Sequence, residues 1–259
     1  MSMISSDDRG LHYGDGLFET ISSVDGQPRW LARHLARLRL GCQKLGIAMP
    51  EQALLQAEIA TAAAGQSRCL VKVIVTRGVA TVRGYRPSGA EVPTLVVQLY
   101  PWLAPAAGRF TVDVSPVRLG ENPLLAGLKH LNRLEQVLAQ QQAGIAGVSE
   151  TLMRASSGGV ICGSMSNLFL CEAAALITPG LEQCGVAGIM RSLVIDAARA
   201  LAMPLQVEAV SPERLQAAPA AFVTNVRLGL KAIDNLGRRD LATDERVAKL
   251  QDWIHAHTA

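Results

Sequence analysis

Lys129 stands between an apolar run and an Asn-Arg pair in the stretch LAGLKHLNRLEQVLAQ, Leu125 to Gln140. A lysine amine becomes a base or nucleophile when its pKa is depressed, and apolar flanks can do this by desolvation. The same residue also fits a plainer role, a solvated lysine at the mouth of an amphipathic helix. Arg37 follows His34 by three residues in WLARHLARLRLGCQKLGI. Its guanidinium can grip an anion, or it can face water. VAGIMRS opens a helix on a glycine, so the amides of Ile189 and Met190 are available to a phosphate, with help from the helix dipole. VTNV puts Thr224 and Asn225 at a strand end, where small polar groups can bind an anion. Ordinary helix starts and strand ends look the same, so none of these features identifies a site alone. There is no GxSxG elbow, Walker loop or HExxH, and RGVATVRGY lacks the Rossmann spacing. The five histidines are dispersed, so no metal site is expected.

The elements that must position these residues follow from periodicity. LFETISSV reads as a strand, DGQP as a turn with a returning hairpin. Leu31, Leu35, Leu38, Cys42 and Leu45 share one helical face. EQALLQAEIATAAAG is a second helix, and CLVKVIVTR and PTLVVQLYPW are strands. LAPAAG, 103–108, is the linker candidate, dividing a domain over 1–102 from one over 109–259. Beyond it RFTVDVSPVRL reads as a strand and HLNRLEQVLAQQQAG as a helix. Short strands ETLMRA, GVIC, NLFLC and AALITP follow, then the helix GIMRSLVIDAARALAM, two strands around SPERLQAA, and a closing helix DERVAKLQDWIHAH. The fold class is α+β.

The chain has 259 residues, of which 49% are hydrophobic and 18% charged, which fits a well-buried globular protein. A net charge of +3 is too weak for a nucleic-acid binder but does not repel small anions. No apolar run reaches membrane-spanning length, and MSMISSDDRG has no signal-peptide core. Five cysteines without a CxxC pair fit reduced thiols in the cytoplasm.

Taken together, DRGLHYGDGLFET, HLARL, TRGVATVRGY, SNLFL, GIMR and VTNV, in that order, resemble the fold type IV pyridoxal-phosphate enzymes. SPVRLGENPLLAGLKHLNRLEQVLA, Ser115 to Ala139, is similar to the aminodeoxychorismate lyases among them. The resemblance implies two α/β domains with the cofactor between them. The N-terminal domain is the smaller, and the C-terminal one is larger with a pseudobarrel-like sheet. It further implies a homodimer in which the partner's loop near Arg83 closes the site. Lys129 is then the residue joined to pyridoxal 5'-phosphate. Arg37, the Ile189 and Met190 amides, and Thr224 or Asn225 hold its phosphate, and Val186 packs on the ring. Arg83, Tyr85 and Arg227 are implied contacts for substrate carboxylates. The implied reaction is conversion of 4-amino-4-deoxychorismate to 4-aminobenzoate and pyruvate in folate synthesis. The alternatives are an aminotransferase of D- or branched-chain amino acids and a non-catalytic cofactor binder. Two departures stand out. The strand that ordinarily precedes DRG is short or absent, and Cys162 occupies the place, five residues before the Asn of the SN pair, where the family carries a glutamate against the pyridine nitrogen. A thiol replaces that carboxylate poorly, which makes the cofactor a weaker electron sink.

Overall fold

Burial alternates along a central strand of the first sheet. In β3 (Arg68–Thr76), Cys69, Val71, Val73 and Val75 are all buried on one face. The preceding elements are α1 (Arg9–Tyr13), β1 (Gly16–Val24), β2 (Gln27–Pro28), α2 (Leu31–Leu45) and α3 (Gln52–Ala63), and β4 (Thr94–Pro101) follows. The strand order is β2-β1-β3-β4, antiparallel throughout, with β1 and β3 in register from Gly16↔Thr76 to Val24↔Arg68. Leu17, Glu19 and Ile21 share one buried face of β1. Helix α2 comes close to it because Gly41 has no side chain, and a Cβ there would lie 2.8 Å from Leu17 Cδ1. The buried face of α2 is His34, Leu35, Leu38, Gly41 and Cys42, while Leu31 and Leu45 are half-buried. The turn-like HYGDG overlaps a short helix, α1, capped by the Asp8 carboxylate on the Gly10 amide. The hairpin after DGQP is only two residues deep, and the long partner of β1 is β3.

The computed structural model describes residues 4–104 and 107–257. The expected linker, 103–108, contains Pro105 and Ala106, which lie outside the described residues. The chain divides into two compact units, the first ending at Ala104 but also containing Leu128–Asn132.

The second unit comprises β5 (Thr111–Leu119), α4 (Leu134–Ala146), β6 (Glu150–Ala155), β7 (Val160–Gly163), β8 (Asn167–Cys171), β9 (Leu176–Pro179), α5 (Ile189–Ala200), β10 (Leu205–Glu208), α6 (Pro212–Ala217), β11 (Ala220–Asn225), β12 (Gly229–Ala232), β13 (Asn235–Leu236), β14 (Arg239–Asp240) and α7 (Glu245–Ala256). These strands form one mixed sheet, β10-β9-β8-β7-β6-β5-β13-β14, with β11 and β12 branching from β8. The β5–β6 and β9–β10 pairs are parallel and are joined through α4 and α5, as parallel neighbours require a crossover. The core under this sheet includes Val112, Leu152, Leu168, Leu170, Ile177, Val223 and Leu236. Phe169 and Phe222 stack with ring centroids 4.8 Å apart, both fully buried. Truncating either to alanine costs about 3–5 kcal/mol.

Candidate active site

Lys129 is not at a helix start, because α4 begins five residues later, at Leu134. The segment around it is extended and pairs antiparallel with the free edge of β1. Phe18 N–H donates to the Lys129 carbonyl at 2.9 Å, and Leu131 N–H donates to the Gly16 carbonyl at 3.0 Å. Asn132 Nδ2 adds a bond to the Gly14 carbonyl at 3.2 Å. This pairing places Lys129 in the first unit, although the sequence reading put it in the domain over 109–259. The Lys129 Nζ lies 4.2 Å from the Phe18 ring centroid, so its amine is seated on an aromatic face.

The next residue of β1 is Glu19, which is almost fully buried. Its Oε1 accepts from Arg37 Nε at 2.7 Å, and its Oε2 accepts from Arg37 Nη2 at 2.5 Å. His34 Nδ1 lies 2.6 Å from the same Oε2. Burial raises the Glu19 pKa, but hydrogen bonds from Arg37 and His34 outweigh it and hold the carboxyl below its ordinary value. Burial above all, with Arg37 and Lys129 adding to it, lowers the His34 pKa against the opposing pull of Glu19, and the net shift is downward. His34 is therefore neutral at neutral pH. Since a carboxylate can only accept, the Nδ1–H is the donor, and Nε2 is a buried acceptor without a hydrogen-bond partner. The sequence reading selected Arg37 but missed Glu19. The available signal was a carboxylate at a core-facing position of a strand, opposite a helix carrying His and Arg three residues apart.

Arg83 and Tyr85 sit in an exposed loop of the first unit. Arg9 anchors it by donating from Nη1 to the Gly84 carbonyl at 2.9 Å and from Nη2 to the Tyr85 carbonyl at 2.6 Å. The Tyr85 ring lies 5.3 Å from that of Tyr13.

In the second unit Asn167 is the hub, and the sequence reading used it only as a reference point. It pairs in register with Cys162 on one side and Thr224 on the other. Its Nδ2 donates to the Val186 carbonyl at 3.0 Å, and a Cβ on Gly188 would overlap its Oδ1. Val186 also bridges to Gly127, whose φ of +79° suits glycine. Gly188 caps α5 without a side-chain bond, and among the described residues the amides of Ile189 and Met190 have no hydrogen-bond partner. Thr224 Oγ1 donates to the Gly229 carbonyl at 2.7 Å. Asn225 Oδ1 accepts from the Arg227 and Leu228 amides at 2.9 and 2.8 Å, and its Nδ2 donates to the Met165 carbonyl at 3.1 Å. These side chains are thus engaged in the turn between β11 and β12 and, through Met165, with the link between β7 and β8. Arg227 is half-buried in that turn.

Cys162 packs with Leu119, Ala139, Met153, Ala155 and Cys184. Burial, then Cys184 and Glu150, push its thiol up to about 12. Glu150, also buried, is spoken for. It accepts from the Ser164 and Ser166 hydroxyls, Gln140 Nε2, and the Thr151 amide at 2.9 Å. A cavity of about 410 Å3 lined by Val114, Ser115, Arg154 and Leu215, among others, contains none of the selected residues. Among the described residues no group of three or more His, Cys, Asp or Glu could hold a metal, and no helix is long and apolar enough to cross a membrane.

A family model described as amino-transferase class IV matches residues 16–235. The chain is 39% identical to the crystal structure of 4-amino-4-deoxychorismate lyase from Pseudomonas aeruginosa, with a TM-score of 0.91 over 99% of this chain and 96% of that one. It is 30% identical to the aminodeoxychorismate lyase of Vibrio harveyi over 94% of this chain and 91% of that protein. The D-alanine aminotransferase of Listeria innocua is 22% identical over 94% of this chain and 86% of its own length. The α+β architecture expected from the sequence is the one seen here and shared with the Pseudomonas aeruginosa structure, and the chain belongs to the amino-transferase class IV family.

Proposed function

We propose that the chain is a pyridoxal-phosphate-dependent lyase that converts 4-amino-4-deoxychorismate to 4-aminobenzoate and pyruvate, a step of folate synthesis. The observation that carries the lyase reading is the 39% identity, spanning 99% of the chain, to the Pseudomonas aeruginosa lyase. The start of α5 supports a phosphate-bearing cofactor. The unpartnered amides of Ile189 and Met190 at the start of α5 suit a phosphate, and Gly188 leaves room where a side chain would collide. By the family resemblance the Arg37 guanidinium would be a second phosphate ligand, Thr224 or Asn225 a third in exchange for a hydrogen bond it now makes, and Val186 a wall for the ring. When bound, pyridoxal phosphate supplies an aldehyde for amines and an electron sink for loss of a proton.

Lys129 would be the residue that holds the cofactor through its amine, and with the substrate amine bound instead it would be available as a base. Its freed Nζ then takes the proton from the ring carbon bearing the substrate nitrogen. The bond from the neighbouring ring carbon to the enolpyruvyl oxygen breaks, and the ring becomes aromatic. Lys129 returns the proton to the methylene carbon of the leaving enolpyruvate, giving pyruvate. Arg83, Tyr85 and Arg227 orient the two substrate carboxylates. By the family resemblance Cys162 would stand where a glutamate otherwise meets the pyridine nitrogen; its buried thiol would bring no negative charge there, and aromatisation would lower the demand on the electron sink.

The five buried free cysteines support a reducing, cytoplasmic setting. The exposed Leu134, Val137, Leu138 and Ile145 of α4 support a homodimer. Borohydride reduction of the yellow protein followed by peptide mapping tests the chemistry: the label is expected on Lys129, and a label elsewhere removes the reading. The likeness to D-alanine aminotransferase favours a second reading, amino transfer. One coupled assay separates them, pyruvate and 4-aminobenzoate from aminodeoxychorismate against amino transfer to 2-oxoglutarate.

A further inference from the structure

We propose that Glu19, backed by His34, is a positioning residue that fixes the Arg37 guanidinium for the cofactor phosphate. The proposal rests on the reading of Arg37 as a phosphate ligand.

A guanidinium presents five N–H donors in one plane. Glu19 takes two along one edge, Nε–H to Oε1 at 2.7 Å and Nη2–H to Oε2 at 2.5 Å, a fork that defines the plane. The carboxylate itself cannot swing. It stands on the central part of β1, is almost fully buried, and its Oε2 is held by His34 Nδ1 at 2.6 Å. His34 is wholly buried on α2, one helical turn before Arg37, so a single helix face carries both partners of the carboxylate. Because the imidazole is neutral, it fixes Oε2 without adding a second positive charge. The ordering of a long arginine side chain is thus completed on folding rather than on ligand binding, which is how preorganisation raises affinity.

The arrangement opposes two effects. A carboxylate bonded to Arg37 lowers the positive potential that a phosphate meets, while it holds the donors in a fixed direction. If geometry dominates, removing the carboxylate weakens phosphate binding. If potential dominates, removing it strengthens binding. The sign of the change therefore reports the role.

The test compares pyridoxal phosphate with pyridoxal, which lacks the phosphate, in titrations of the full-length apoprotein followed by visible absorbance. Glu19→Gln is expected to weaken pyridoxal phosphate roughly tenfold or more, the loss of one charge-assisted bond, with pyridoxal affinity unchanged. An equal loss for both ligands marks a merely structural role and overturns the proposal, as does unchanged or tighter binding of pyridoxal phosphate. Glu19→Asp keeps the charge and shortens the reach. It is expected to lower the phosphate preference by a smaller factor, and it decides the question if Glu19→Gln does not fold, an unchanged preference counting against positioning. Arg37→Gln tests the underlying reading separately. A preference unmoved in Arg37→Gln removes Arg37 from the phosphate site, whereas one lost there but kept in both Glu19 variants defeats only the positioning role.

Discussion

At Cys162 the thiol is buried among aliphatic side chains and lifted to about 12, so at neutral pH it offers a weak donor and no negative charge. The one buried carboxyl named beside it, Glu150, is occupied by Ser164, Ser166, Gln140 and the Thr151 amide. Cys162→Glu should therefore change the cofactor's visible spectrum while lyase turnover moves little, since aromatisation drives the reaction. A large gain in turnover would show that the electron sink limits the natural enzyme. Glu19 and His34 make a second prediction, about acid. The Glu19 folded pKa lies below its ordinary 4.5, so its stabilisation is present above that value and is lost as pH falls through the folded pKa. His34 is also depressed below its ordinary 6.5. Above 6.5 it is neutral folded and unfolded, and below 6.5 the unfolded chain takes a proton that the native site resists, so stability falls. The urea midpoint should be flat from pH 7 to 8 and decline below about 6.5. His34→Gln should remove the part of the decline above pH 5.

The elements show how local pattern and distant pairing divide the information. Runs of β-branched residues made β3 and β4 readable, and the three-to-four periodicity made α2, α5 and α7 readable, because these patterns are local to each element. The stretch around Lys129 misled for the opposite reason. Its leucines continue the periodicity of α4 backwards, yet the backbone there is claimed by β1, more than a hundred residues earlier, and no local period encodes that pairing. The start of α5 was legible from its glycine, and the amides of Ile189 and Met190 there have no hydrogen-bond partner among the described residues. The role of Asn167 was not legible, since it depends on β8 lying between β7 and β11. Gly188→Ala is the element-scale prediction. The new methyl would overlap Asn167 Oδ1, so Asn167 or the first turn of α5 must shift. An overpacking cost of about 1–3 kcal/mol should appear in denaturant melts, with weakened phosphate binding.

For the molecule as a whole, the composition pointed to a well-buried globular chain with reduced thiols, and all five cysteines are unpaired and buried. Thiol titration should find almost none reactive in the native protein and five after unfolding. Fast labelling of the native form would reveal openings that reach the core. Family resemblance carried the functional reading further than composition could, because the expected site residues are scattered from Arg37 to Arg227. What it did not carry was the carboxylate behind Arg37, which becomes visible only when β1 and α2 are packed face to face through Gly41.

The pairing of Leu128–Asn132 with β1 also bears on how this protein can be dissected. A fragment ending at Ala104 would carry the four-stranded sheet but not the strand-like segment that covers the edge at Gly16 and Phe18. Its bare edge would recruit other chains. A stable minimal version needs those five residues restored by a designed loop, and such a mini-protein would carry Lys129 with it.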